Sequence, residues 1–149
     1  MANELNISTG IQEYSLNGKV KIYLNPTDAD FTERIFHAFD FLDEKQDVYT
    51  KRIEESESAE QSFAFLRELD AEMREHLFEL FGEDIVTPLI GKTNVYALAD
   101  GTPIWFNLLT GIIDVIGEGI DEQTKKSKER IKKYTAKYTT ADHKKKAKK

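Results

Sequence analysis

The chain opens its pattern with strict alternation. Tyr14 and Leu16 alternate with Glu13 and Ser15, and Val20, Ile22 and Leu24 alternate with Lys19, Lys21 and Tyr23. These period-two runs flank Asn17-Gly18, two residues that tolerate the positive φ of a type I′ turn. The pattern therefore predicts a β-hairpin from Ile11 to Leu24. One face of it is apolar and needs a cover, because a lone hairpin is marginal in water.

After Asn25-Pro26 the period becomes helical. Thr27, Asp28 and Asp30 supply cap oxygens and negative charge suited to a helix start. Phe31, Ile35, Phe39 and Leu42 follow at helical spacing, with Ala38 on the same face, and the pattern thins toward Val48, Tyr49 and Ile53. Residues 54–60, EESESAE, are either a turn or a solvated stretch of helix. Ser58 and Gln61 match a capping box for a second helix, which carries Phe63, Leu66, Leu69, Met73, Leu77 and Leu80 and ends at Gly82. The two helices are predicted to pair antiparallel.

Residues 83–101 are punctuated by Pro88, Gly91, Asn94 and the ADG at 99–101, and Val95 to Leu98 is too short to assign. Thr102-Pro103 is predicted to open a third helix, with Thr as the cap. Ile104, Trp105, Leu108, Leu109, Ile112, Ile113 and Ile116 form its apolar stripe. Gly111 inside that stripe costs about 1 kcal/mol against Ala, which predicts close packing there. Gly117 and Gly119 are expected to end or loosen the helix. Ile131, Tyr134 and Tyr138 allow a further short helix, and the terminal HKKKAKK should fray. The expected fold is α+β: an N-terminal β-hairpin packed on a mainly helical bundle. Residues 1–120 form one domain, and residues 121–149 a basic tail, partly helical or disordered.

Charge divides the chain a few residues further on. Residues 125–149 hold 12 Lys or Arg against two acidic residues, a sum of +10. Residues 1–124 hold nine basic and 25 acidic residues, a sum of −16. An acidic body with a basic tail suits contact with other macromolecules. The absence of Cys excludes disulfides, thiolate metal sites and Cys nucleophiles. The stretch from Ile104 to Ile120 is interrupted by Asn107, Thr110, Asp114 and Glu118, so no membrane span is expected. MANELNISTG has neither a basic nor an apolar signal region, and the expected location is the cytoplasm.

Candidate chemistry is thin. DAD at 28–30 is a fragment of a calcium loop without its remaining ligands and turn glycine. Glu33 with His37 and Glu72 with His76 stand four apart, where a carboxylate-bridged dimetal site needs Glu-x-x-His and more inward carboxylates. Ordinary surface or boundary histidines are the better reading. GKT at 91–93 lacks the upstream glycine spacing of a phosphate loop, and GEG at 117–119 follows a helix rather than a strand. No Gly-x-Ser-x-Gly elbow exists. No catalytic residue, cofactor or metal is assigned. The Lys-rich tail is able to attract phosphates, but an acidic body repels them, so specific nucleic-acid recognition is disfavoured.

The segment HLFELFGEDIVTPLIGKTNVYALADGTPIWFNLLTGIIDVI, from His76 to Ile116, resembles the tail assembly chaperones of long-tailed phages and prophages of Gram-positive bacteria. YSLNGKVKIYLNPTDADFTERI, from Tyr14 to Ile35, resembles their hairpin leading into a helix. The resemblance covers most of residues 14–120. It implies a non-enzymatic protein of the bacterial host cytoplasm that binds the tape measure protein, helps recruit tail tube subunits and self-associates. Exposed apolar residues near the family-like turn are the expected binding set: Leu80, Phe81, Ile85, Leu89, Ile90, Tyr96 and Trp105. The alternatives are a structural component of the phage tail and a nucleic-acid-binding regulator acting through the Lys-rich tail.

Overall fold

In the computed structural model, Asn17 and Gly18 take φ of 55° and 68°, the left-handed pair that a type I′ turn requires. The structure describes residues 1–147. Strands β1 (Gln12–Leu16) and β2 (Val20–Leu24) pair antiparallel across this turn, Leu16 opposite Val20 and Gln12 opposite Leu24. Ile22 and Leu24 are buried and Tyr23 is exposed, as the alternation predicts.

Helix α1 (Ala29–Glu54) starts at Asp28, whose carboxylate accepts the Asp30 N–H at 3.0 Å. Helix α2 (Ala59–Phe81) starts at Ser58, whose Oγ accepts the Gln61 N–H at 3.1 Å. Gln61 Oε1 in return accepts the Glu57 N–H at 2.8 Å, one residue before the position a strict capping box uses. Residues 55–58 are therefore a turn, and Gly82 closes α2 in the left-handed conformation. Arg52–Glu68, Lys45–Glu72 and Phe31–Phe81 meet in that order along the pair, so α1 and α2 run antiparallel.

The short helix α3 (Val86–Ile90) was not expected from the sequence. Strands β3 (Leu98–Ala99) and β4 (Thr102–Pro103) make a second small hairpin around Asp100 and Gly101, with φ of 55° and 82°. Pro103 therefore ends a strand, and α4 (Ile104–Ala147) begins one residue later.

Helix α4 runs unbroken through Gly117 and Gly119, so neither glycine ends it. The reason at Gly119 is packing. A Cβ there would lie 2.5 Å from Pro26 Cγ and closer still to its Cβ, so only glycine lets the β2–α1 junction rest on α4. Gly111 is the reverse case: a Cβ there meets nothing within 4 Å, which overturns the close packing expected at this position. The continuous helix also crosses the expected boundary at residue 120. The side chains of Ile131, Tyr134 and Tyr138, and the terminal Lys148 and Lys149, lie outside the described residues.

One core joins these elements. Ile35, Leu42, Leu69, Met73, Leu77, Ile85 and Leu109 are fully buried in it. Trp105 packs edge-on against Phe39, ring centroids 5.5 Å apart, and its Nε1 donates to Gln46 Oε1 at 2.8 Å. The fold is α+β, a hairpin on a helical body. Among the described residues no helix is long and apolar enough to cross a membrane.

Candidate functional site: an uncharged apolar groove

The apolar stripe of α4 is wider than its core contact. Trp105, Leu109, Ile112 and Ile116 are buried in the body. Ile104, Leu108, Gly111 and Val115, spaced at i, i+4, i+7 and i+11, form a neighbouring row. That row lines a groove of about 440 Å³. Tyr14, Leu16, Ile22 and Leu24 of the hairpin form the facing wall, and Leu89 and Ile90 of α3 also line the groove. The volume falls within the range of roughly 300–1,000 Å³ typical of ligand sites. Gly111 has no side chain to fill it.

No charged residue lines the groove. Of its two amides, Asn107 is already committed: its Nδ2 donates to the Ala99 carbonyl at 3.0 Å, and its Oδ1 accepts from the Thr102 hydroxyl. Asn107 thereby ties the β3–β4 hairpin to α4. Tyr14 donates its hydroxyl to Gln12 Oε1 at 2.9 Å. Its phenol pKa is raised, first by burial and then by the nearby carboxylates of Glu122 and Glu118 on α4. The groove therefore offers shape and apolar contact with few free polar partners. An occupant carrying a charge would lose hydration there without a counter-charge.

A second set of bonds fixes the segment after α3. Arg74 Nη2 donates to the carbonyls of Gly91 and Thr93 at 2.9 and 2.7 Å, and Asn94 Nδ2 donates to the Leu66 carbonyl at 3.0 Å. This segment carries the Gly91-Lys92-Thr93 run, which here is a turn bound to α2.

The expected binding set divides. Leu89 and Ile90 line the groove. Leu80, Phe81 and Tyr96 are half-buried and pack against the core, Tyr96 with its hydroxyl 3.4 Å from Thr50 Oγ1. Ile85 and Trp105 are buried at 0% and 1% exposure, which corrects their expected exposure: both are core residues. The groove residues of α4 and the hairpin were not in the expected set. The doubled stripe on α4 was the signal for them, since one helix interface needs only one such row.

His37 and His76 belong to no common site. His37 lies 4.0 Å from Glu33 on an exposed face of α1, and His76 stacks on Phe41 at 4.2 Å between centroids. Among the described residues no group of three or more His, Asp or Glu is placed to hold a metal. No protein-family model, no curated protein and no solved structure matches the chain.

Proposed function

We propose that this chain is a tail assembly chaperone of a long-tailed phage or prophage, acting in the host cytoplasm by binding the tape measure protein without catalysis. The observation that carries the reading is the uncharged groove between the hairpin and α4, set in a body whose first 124 residues sum to −16. A long amphipathic helix exposes an apolar row that drives aggregation. A groove with apolar walls takes one face of such a helix, and the acidic surface keeps the complex soluble. Many copies along one long partner add avidity without strong single contacts. Recruitment of tail tube subunits belongs to the same reading.

Co-expression with the tape measure protein tests it. The wild-type chain is expected to hold that partner in solution and to co-purify with it. Gly111→Asp, which places a carboxylate in the open groove, is expected to lose both effects. A wild-type chain that leaves the tape measure insoluble and unassociated would end this reading.

A further inference from the structure

The apolar groove has an uncovered counterpart in the same chain. Residues 1–11 precede β1 and are all exposed. Leu5 and Ile7 are 82% and 77% exposed. Leu5, Ile7, Thr9 and Ile11 recur at the period of a strand, with Asn6, Ser8 and Gly10 between them. From Leu5 to Gln12 no residue is charged, in a chain of which 32% is charged. This arm is therefore a segment of the chemistry that the groove accepts.

The root of the arm is fixed. Gly10 has φ of 72°, and Asn25 Nδ2 donates to the Thr9 carbonyl at 2.9 Å. A Cβ on Gly10 would stand 2.6 Å from that nitrogen, so the joint requires glycine. Thr9 is held beside the open end of the hairpin, where Gln12 pairs with Leu24. Leu5 and Ile7 remain outside their own groove.

We propose that the groove seats the arm of a second copy of this chain, Leu5 and Ile7 entering between the hairpin face and the Ile104–Leu108–Val115 row. Two chains exchanging arms reciprocally form a closed, isologous dimer. Two apolar surfaces, each open to water in one chain, are covered by the same contact. The exchange does not depend on the identity of any client. A client helix seated in the same groove displaces the arm.

Sedimentation of the full chain over a wide concentration range tests the exchange. The wild type is expected to form a dimer. Leu5→Asp with Ile7→Asp alters two exposed side chains and is expected to weaken dimerisation by about 100-fold, with the thermal transition of the monomer unchanged. Gly111→Leu fills the groove from the other partner and is expected to have the same effect. Mixing the two variants should give a heterodimer held by one of the two arm contacts, weaker than the wild-type dimer but tighter than either variant alone, because one supplies an intact groove and the other an intact arm. A wild type that is monomeric throughout, or variants that dimerise like the wild type, would overturn the proposal. A monomer with its own arm seated in its own groove would overturn it equally. Client solubility is scored separately, so failure of the exchange is distinguishable from failure of the chaperone reading.

Discussion

Asp70 and Arg74, one turn apart on α2, grip the same loop from two sides. Asp70 Oδ1 accepts the Val95 N–H at 2.8 Å, while Asp70 Oδ2 holds Arg74 Nε at 3.0 Å. The guanidinium so oriented donates to the Gly91 and Thr93 carbonyls. Val95 is 1% exposed, so its N–H has no water to turn to if Asp70 is lost. Asp70→Ala is therefore expected to cost about 1–3 kcal/mol in urea unfolding, with faster amide exchange at Val95. Arg74→Lys should recover little, because one ammonium cannot reproduce the planar fork. An unchanged urea midpoint in Asp70→Ala would show that the loop is held by other means.

The three glycines of α4 give opposite responses to one substitution. Gly119→Ala forces a methyl into Pro26 and is expected to destabilise by about 1–3 kcal/mol, the range for overpacking. Gly117→Ala meets open space and should stabilise by about 1 kcal/mol through helix propensity alone. Gly111→Ala should stabilise by a similar amount while narrowing the groove. Thermal melts of the three variants check the order. A neutral Gly119→Ala would show that the hairpin–helix junction shifts freely to admit the methyl.

Those glycines also mark where the sequence stopped being legible. The first hairpin, helices α1 and α2 and their caps followed from local rules: alternation, Asn-Gly, Ser58 with Gln61, and Gly82. Gly111 and Gly119 look alike in a helical stripe, and only tertiary contact separates a close approach from an open groove. The second hairpin used the same chemistry as the first, with Asp100-Gly101 in place of Asn17-Gly18. Its strands are two residues long, too short for alternation to register. The groove was half legible. The apolar hairpin face was expected to need a cover, but for binding the apolar residues from Leu80 to Trp105 were favoured over the doubled row on α4. Ile85 and Trp105 show the cost of that choice, since large apolar residues are more often core than surface.

Asp84 supplies a pH test. Its Oδ1 accepts the N–H groups of Val86 and Thr87, both at 3.1 Å, at the start of α3. Its pKa is lowered, mainly by the Thr87 side-chain and backbone hydrogen bonds, with burial opposing. A carboxyl depressed in the fold stabilises while ionised. Its contribution is complete above the unfolded value of about 3.9 and is lost as pH falls through the lower folded value. Asp84→Ala should therefore lower the melting temperature at pH 7 and leave a smaller difference once pH has fallen through the depressed folded value. A difference that is constant across that window would assign the effect to packing rather than to the charged cap.

Gln46 and Trp105 join α1 to α4 through one part-buried polar contact. The indole Nε1 donates to Gln46 Oε1 at 2.8 Å, and the ring is 1% exposed between Phe39 and Phe106. Gln46→Leu keeps a side chain of similar reach and removes the acceptor. The indole N–H then stays dry and unpaired, which is expected to cost about 1–3 kcal/mol. Trp105→Phe on the Gln46→Leu background removes the orphaned donor together with its partner. Its penalty should be less than the sum of the two single changes, as expected for residues in direct contact. Since the chain has one Trp, its fluorescence reports this contact directly: emission should be blue-shifted in the native state and move red on unfolding. Strictly additive penalties would mean that Gln46 and Trp105 contribute to stability independently, and that this hydrogen bond does not couple α1 to α4.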